Sequence, residues 1–226
     1  MTINILHLYY DLMNLYGESG NVKAVMKSLK NQKIKVVLDE LSIKDDINFW
    51  KYDFIYIGSG TEQNQLLALN HILKYKEDIK KYIEEGKFFL STGNSYELFG
   101  EKINNIKALD MFKYSSISLD ERRVGDIVAR CNFLKDKIIG FQNQGSIIIK
   151  NNNPMFEDIN TDYKEGVHYK NFFGTYFIGP ILIRNPHLHK YIITNLLKNK
   201  NLKTKPLDLK LDLKAYKTYM DKYHKE

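Results

Sequence analysis

The sequence predicts an α/β fold built around a parallel sheet and followed by antiparallel hairpins. Apolar strands and amphipathic helices alternate over the first hundred residues, as in βαβ units. The segment KFFLSTGNSYELFG (87–100) is typical of a strand that runs through a tight turn of small residues into a helix. Beyond residue 105 the strands are short and broken by Asn, Gly and Asp, which favours hairpins. With 226 residues, 43% of them hydrophobic, the chain can bury a full core as one domain.

The first βαβ unit covers residues 3–41. Residues 3–8 form an apolar strand, and after a loop the segment 21–32 carries apolar residues at helical spacing. These residues are Val22, Val25, Met26 and Leu29. The chain then returns as a strand at 33–41, which completes the unit.

A second run of elements ends at the tight turn. Residues 53–60 form a strand that ends in glycines, and residues 66–86 are predicted as one helix with Gly86 as its C-cap. The strand at 87–92 then leads into the turn Gly93-Asn94-Ser95. At the carboxyl edge of a parallel sheet, such a turn has the shape of a nucleophile elbow, which holds a reactive side chain exposed.

The C-terminal part is predicted to be helical. Residues 185–199 form one helix, and a linker at 200–206 leads to a segment whose apolar residues recur at intervals of four and three, as in an amphipathic helix. These residues are Leu209, Leu213, Tyr216, Met220 and Tyr223. We therefore divide the chain into a domain at 1–200 and a C-terminal linker and helix at 201–226, packed on that domain or on a partner.

The net charge of +7 is concentrated at the C-terminal end. Residues 198–226 hold nine Lys against four acidic residues, and only four of the 34 basic residues in the whole chain are Arg. Arg is the side chain best suited to contacts with phosphates and bases. The lysines are therefore better explained as a solvated face, and we expect no nucleic-acid partner.

The sequence gives no sign of export or membrane insertion. It has no window of 18 or more apolar residues, and the start MTINILHLYYDLMN carries neither a basic region nor a small-residue cleavage site. The single cysteine, Cys131, cannot form an internal disulfide, which agrees with a reducing compartment. We expect a cytoplasmic protein that does not bind membranes.

Six stretches of the chain point to one family. They are LYYDLMNLYGESGN (8–21), FIYIGSGTEQNQL (54–66), GNSYELFG (93–100), RRVGDIV (122–128), IIGFQNQGS (138–146) and KEGVHYKNFFGTYFIGPILIRNP (164–186). Together they resemble the glutaminase subunit of lipid II isoglutaminyl synthase. This is a branch of the class I glutamine amidotransferases, close to the amidotransferase domains of cobyric acid and cobyrinic acid a,c-diamide synthases. The resemblance implies a flavodoxin-like three-layer fold with helices on both faces of a mostly parallel sheet, and no cofactor.

This chain departs from the family at the positions that carry the chemistry. The family elbow reads Cys-Gly-Gly-Tyr-Gln-Leu-Leu-Gly, and its Cys attacks the side-chain amide of glutamine; aligned on Tyr96, that position is Gly93. The family base, the His of Gly-Thr-Tyr-Leu-His-Gly-Pro, falls on Ile178. Glu97 replaces a family Gln and Gln144 a family His. A carboxylate at position 97 is expected to repel the carboxylate of bound glutamine.

Other positions keep the family pattern. The resemblance implies substrate contacts at Gly60, Gln65, Asn94 and Arg122, with Gly60 at the glycine-rich strand end where relatives place an oxyanion-type backbone N–H. Two of these positions have a second explanation. Gly60 could simply permit the turn after a buried strand, and Arg122 could be a surface residue.

Few residues are candidates to replace the lost chemistry. Ser95 and Thr92 flank the elbow, but a hydroxyl needs an activating base within hydrogen-bond reach. His168 stands in family scaffold and Cys131 on the apolar face of a strand, so structural roles are favoured for both. The other histidines have no motif around them: His7, His71, His187, His189 and His224. No spacing of ligands predicts a metal site.

Two hypotheses for the function follow. The first is a degenerate glutamine amidotransferase-like protein that acts as a binding or scaffold subunit, with glutamine or a related small molecule as a candidate ligand. Relatives work with a Mur-ligase-like synthetase, so the resemblance implies such a partner. The second is an active amidohydrolase with displaced catalytic groups, Ser95 and His168. Both peptidoglycan amidation and corrin-type amidation stay open as the pathway.

Overall fold

The computed structural model describes residues 1–223, and the strands within them form one sheet. In chain order the strands are β1 (Thr2–Leu8), β2 (Lys35–Leu41), β3 (Phe54–Ile57), β4 (Phe88–Thr92), β5 (Lys102–Ile103), β6 (Ile106–Lys107), β7 (Ser115–Cys131), β8 (Ile138–Ile149), β9 (Pro154–Asp158), β10 (Lys164–Tyr169) and β11 (Phe172–Thr175). The helices are α1 (Ser19–Asn31), α2 (Glu62–Ile72), α3 (Lys76–Glu84), α4 (Ile181–Arg184), α5 (Pro186–Asn199) and α6 (Lys210–Tyr223). His224 lies outside the described residues.

The parallel part of the sheet has the strand order β2-β1-β3-β4-β11. Each neighbouring pair in this part is parallel, and every residue of β3, β4 and β11 is buried. Strands covered on both faces are apolar throughout rather than alternating, which is why FIYI and FFLST are continuous runs. The predicted parallel sheet is confirmed.

Helices cover both faces of this parallel part. α1 and α5 pack on one face, for example through Leu29 and Ile192. α2 and α3 pack on the other face, for example through Leu69 and Ile83. The result is the three-layer arrangement that the resemblance implied, with a separate apolar core on each side of the sheet.

The single helix predicted at 66–86 is wrong in one respect. The structure divides it into α2 and α3, which are separated by a 3-10 turn at Leu73–Tyr75. The turn leaves Leu73 36% exposed and directs Tyr75 toward Phe49, with the Ile47 N–H donating to its hydroxyl at 3.2 Å. The prediction that Gly86 ends the helical segment is confirmed, because Gly86 follows the C-cap residue of α3 and adopts φ +69.

The antiparallel part continues the same sheet in the order β11-β10-β9-β7, with β8 paired along β7. The hairpins expected beyond residue 105 are therefore confirmed. β7 and β8 are longer than the sequence suggested, at 17 and 12 residues. Most of β7 is exposed or half-buried, so Asp, Arg and Gly are tolerated within it and the apolar pattern does not mark its full length.

The C-terminal helix α6 lies against the rest of the chain. The Tyr216 hydroxyl donates to the carbonyl oxygen of Lys137 at 2.8 Å, and the Asn160 side chain donates to the Tyr223 hydroxyl at 2.6 Å. Leu209, just before the helix, is buried, whereas Leu211 is 81% exposed. The apolar spacing therefore predicted which side of this segment makes contact.

Candidate functional site

The site is organised by the turn after β4. Gly93 has φ +64, a left-handed conformation that glycine adopts without steric cost, and it begins a 3-10 helix at Gly93–Phe99. The elbow expected from the sequence is present, although an α-helix does not follow it. Since β4 lies between β3 and β11, the turn stands at the carboxyl edge of the parallel strands.

The space for a side chain at position 93 is already filled. A Cβ atom built on Gly93 would lie 2.4 Å from Ser59 Cβ, 2.5 Å from Ser59 Oγ and 2.9 Å from Ile178 Cγ2. Contacts this short require the neighbouring atoms to move. Gly93 and Ile178, the two positions at which the resemblance implied the replaced dyad, lie side by side, and the packing around them leaves no space for a side chain at position 93.

The backbone amide of Gly60 is also occupied. The Gly60 N–H donates to Asn94 Oδ1 at 3.0 Å, and Asn94 Nδ2 donates back to the Gly60 carbonyl at 2.9 Å. The Ser59 hydroxyl donates to the same Asn94 oxygen at 3.2 Å, and Gln65 Nε2 donates to the Asn94 carbonyl at 2.6 Å. The structure thus brings Gly60, Gln65 and Asn94 together, but their polar groups are hydrogen-bonded to one another.

Arg122 lies at the mouth of the same site. Its guanidinium donates to Glu62 Oε1 at 2.7 Å, to Asn143 Oδ1 at 2.8 Å and to the Asn143 carbonyl at 2.9 Å. Its side chain is 46% exposed. Arg122 is therefore a surface side chain that borders the site.

A small cavity is all that remains between these groups. It measures about 20 Å³, and Gly60, Gln65, Asn94 and Arg122 are among the residues that line it. A cavity needs roughly 10–15 Å³ to hold one water molecule. In this conformation the site has room for a species of water's size, not for an amino acid.

Glu97 forms one wall of this cavity and is buried. It accepts hydrogen bonds from the hydroxyls of Ser116 at 2.7 Å and Ser146 at 2.6 Å. Burial raises the pKa of its carboxyl group above the ordinary value, and these hydroxyl donors oppose the shift. Tyr176 lines the cavity as well, and its buried hydroxyl lies near Glu97 and Ser146 without a hydrogen bond of good geometry among the described residues.

The two candidate replacement groups are not brought together. The Ser95 hydroxyl is buried and bonds to Ser91 Oγ at 2.7 Å and to the Thr92 carbonyl at 2.9 Å. His168 is stacked on Phe173 and its Nε2 lies 2.9 Å from the Lys170 carbonyl oxygen. Burial lowers the pKa of His168. Both side chains are thus committed to local structural contacts.

Glu18 is a buried residue of the site that sequence reasoning missed. Its carboxylate accepts hydrogen bonds from the Thr92 and Tyr56 hydroxyls, the latter at 2.5 Å, and from the Gly179 N–H at 2.6 Å. Burial raises the pKa of Glu18 to about 7. It is the base within reach of Thr92 that the sequence did not reveal, yet both side chains are fully buried and neither can meet a substrate.

Glu18 could have been found from one signal. It stands in the stretch YGESGN, where an acidic residue directly follows a glycine in a segment that carries the family resemblance. Nothing in the local spacing shows that this residue folds back under the elbow, 74 residues away in the chain at Thr92. The contact depends on the three-dimensional order of the strands.

Three further features that the sequence raised are the Cys131 thiol, metal ligands and membrane-spanning helices. Cys131 is half-buried, and burial raises the pKa of its thiol. Within residues 1–223 no group of three His, Cys, Asp or Glu side chains is placed to hold a metal ion. In the same residues, no helix is long and apolar enough to cross a bilayer.

The parallel sheet, the elbow after β4 and the glycine-rich loop beside it define a class I glutamine amidotransferase fold. Two solved structures have it. A glutamine amidotransferase from Thermotoga maritima has a TM-score of 0.56 at 13% sequence identity, covering 96% of this chain and 92% of that one. Another crystal structure of a glutamine amidotransferase has a TM-score of 0.56 at 14% identity, covering 85% of this chain and 98% of its own.

Within that class, the chain belongs to the CobB/CobQ-like glutamine amidotransferase domain family, which matches residues 4–186. Two relatives are named as the subunit GatD of the glutamine-hydrolysing lipid II isoglutaminyl synthase. The one from Staphylococcus aureus strain N315 is 28% identical, covering 99% of this chain and 97% of the relative. The one from Streptococcus pneumoniae is 32% identical, covering 88% of this chain and 82% of the relative.

Proposed function

We propose that this chain is a glutamine amidotransferase-family subunit that does not hydrolyse glutamine and acts by binding a partner protein. The main support for the proposal is that the turn after β4 has no space for a side chain at position 93. Gly93 offers no nucleophile, Ile178 offers no base, and Ser59 occupies the space that a nucleophile would need. Loss of a nucleophile and base that act as a unit costs orders of magnitude in rate.

Substrate binding is blocked at the same place. The Gly60 N–H, which would stabilise an oxyanion, already donates to Asn94 Oδ1, so the carboxamide of Asn94 occupies the position of a substrate amide. Glu97 adds negative charge to the wall of the cavity. We therefore propose that glutamine does not bind in this conformation, because the polar groups that would hold it bind one another.

The motifs that survive support a scaffold. In the stretch GTYFIGPILIRNP, the Thr175 hydroxyl and the Tyr176 N–H donate to Glu165 at 2.5 and 2.8 Å. The Asn185 side chain accepts from the Ile139 N–H at 2.7 Å and donates to the Ile139 carbonyl at 2.8 Å, which covers the edge of β8. These residues maintain the fold and do not depend on catalysis.

The partner is proposed from the relatives. Both are named as subunits of a larger enzyme, and the family resemblance implies a Mur-ligase-like synthetase as the other subunit. We propose that this chain holds such a synthetase in the cytoplasm, in peptidoglycan amidation, and that the synthetase takes its ammonia from another source. Nucleic-acid binding by the lysine-rich end is not part of the proposal.

We expect purified protein to release no ammonia from glutamine above background. The reason is the absence of both members of the dyad at Gly93 and Ile178. The measurement is a coupled ammonia assay over long incubation. Turnover in the usual enzyme range, about 1 per second or more, would contradict the proposal. If that activity disappeared in Ser95→Ala or His168→Ala, the displaced-group hypothesis would be correct instead.

We expect the chain to co-purify from its native cell with a Mur-ligase-like protein in a stable complex. Specific complexes of this kind bury about 1,200–2,000 Å². Affinity capture of the tagged full chain, followed by sizing and identification of the bound protein, tests the expectation. Recovery only as a free monomer or as a homodimer would exclude the scaffold role.

A further inference from the structure

Glu97 is a buried carboxylate without a basic partner. It is 1% exposed, and its two oxygens accept from neutral hydroxyls, those of Ser116 and Ser146. The nearest cationic residue on the same cavity, Arg122, is ion-paired to Glu62 instead. Among the described residues no ion pair includes Glu97. A buried carboxylate left in this way is costly, so the group either binds a proton or is compensated by a counter-charge.

Tyr176 provides a second, independent observation at the same cavity. Its hydroxyl is buried and lines the same cavity of about 20 Å³; it lies near Glu97 and Ser146 but makes no hydrogen bond of good geometry within residues 1–223. Buried polar groups in folded proteins nearly always have a partner. An orphaned hydroxyl oxygen beside an uncompensated carboxylate indicates that a small polar species belongs between them.

The other two buried carboxylates of the site do not share these features. Glu18 accepts from the Gly179 N–H at 2.6 Å and Glu165 from the Tyr176 N–H at 2.8 Å, so each is held by the backbone as well as by hydroxyls. Neither lines the cavity. The combination of a carboxylate, an unpartnered hydroxyl and an empty volume is found at Glu97.

We propose that this cavity binds a monovalent cation of about water's size, with ammonium as the best fit. The volume admits one such ion, and the Glu97 carboxylate supplies the opposite charge. Ammonium has four N–H donors, and the oxygens of Glu97, Tyr176 and Ser146 are available to accept from them. Potassium has the same charge and a similar size, so the two ions are separated by experiment.

The cation site adds to the proposed function and rests on it, because a working nucleophile and a bound glutamine would occupy the same cavity. The experiment contains neither glutamine nor a partner. A failure to bind ammonium therefore leaves the proposed function intact, whereas a failure of the proposed function would be seen as glutamine hydrolysis or as the absence of a complex.

The experiment compares the full chain in ammonium, potassium and tetramethylammonium chloride at equal ionic strength. Tetramethylammonium is too large for the cavity and controls for general salt effects. When ammonium is at about ten times its dissociation constant, the ratio of folded to unfolded protein should rise about tenfold relative to tetramethylammonium. Proton signals of bound ¹⁵N-ammonium, slowed in exchange by burial, provide a direct readout in the same samples.

Two variants decide the result. Glu97→Gln keeps the shape of the side chain and removes the charge, so both the stabilisation and the bound-ammonium signals should disappear; Asp162→Asn, an exposed acidic residue, should change neither. If Glu97→Gln does not fold, Tyr176→Phe provides the second test and should weaken binding. Equal effects of ammonium and tetramethylammonium, or an ammonium effect retained in Glu97→Gln, would overturn the proposal. Equal effects of ammonium and potassium would support it as a general monovalent-cation site.

Discussion

Gly93→Ala is expected to destabilise the protein on the order of 3 kcal/mol or more. Two costs add: a left-handed backbone conformation costs an L-residue about 1–2 kcal/mol, and overpacking a core typically costs about 1–3 kcal/mol. The second cost follows from the contacts of 2.4–2.9 Å that the new Cβ would make with Ser59 and Ile178. Urea unfolding followed by circular dichroism measures the change.

Gly17→Ala is the matched control for this substitution. Gly17 has φ +72, close to the φ +64 of Gly93, but a Cβ built on it meets nothing within 4 Å. It should therefore cost only the backbone term, about 1–2 kcal/mol. In the Gly93→Ala background, Ser59→Gly should restore stability, because it removes the two closest contacts. Equal costs at positions 17 and 93 would show that the elbow is not filled.

The same geometry predicts that the dyad cannot be restored by two substitutions. A Cys at position 93 would meet Ser59, and Asn94 would still occupy the Gly60 N–H. We expect Gly93→Cys combined with Ile178→His to give a less stable protein without glutaminase activity. If this result is obtained, the departure from the family pattern extends beyond positions 93 and 178 to the neighbouring packing.

The fold could be predicted from the sequence because each element has a local signal. The continuous apolar runs of β3 and β4 indicated buried parallel strands, and the helical spacing of Val22, Val25 and Leu29 marked α1. The break between α2 and α3 was missed because no Gly or Pro marks it. It depends on the packing of Tyr75 against Phe49, a contact between distant parts of the chain.

The site was predictable only as a set of positions. The resemblance placed Gly93, Gly60, Gln65, Asn94 and Arg122 at one site, and in the structure these five residues line one cavity. Ile178 is not among the residues that line it and lies against Gly93. The sequence could not show that Ser59 fills the elbow or that Asn94 binds the Gly60 amide, because both contacts join segments that lie 34 residues apart in the chain. Glu18 was missed for the same reason, since its burial depends on Tyr56, Thr92 and Gly179 together.

Buried Glu18 and Glu165 are expected to lower the stability of the protein as the pH rises from about 5 to about 8, and buried His7 and His189, whose pKa values are lowered from 6.5 to about 4, oppose this effect below about pH 6.5. Burial raises the pKa of Glu18 and of Glu165 from 4.5 to about 7. Between these values the unfolded chain has released the protons that the folded chain still holds, so the free energy of unfolding falls with pH. The contribution of each group is complete below its ordinary pKa of 4.5 and is lost as the pH rises through about 7. At about 1.4 kcal/mol per pKa unit, each group accounts for about 3 kcal/mol.

Glu18→Gln should remove about half of the contribution that Glu18 and Glu165 make together, and leave a protein that is relatively more stable at pH 8 than at pH 5, compared with the unchanged chain. Gln keeps an oxygen to accept from the Gly179 N–H, so the fold is preserved. Glu157→Gln is the control: Lys164 lowers the pKa of that exposed carboxyl below its ordinary 4.5, so its small contribution is lost only at lower pH and the slope between about pH 5 and 8 should not change. Urea unfolding at several pH values between about 5 and 8 gives the slopes. A slope unchanged by Glu18→Gln would mean that Glu18 keeps its charge when buried, stabilised by the Thr92, Tyr56 and Gly179 donors despite the cost of desolvation.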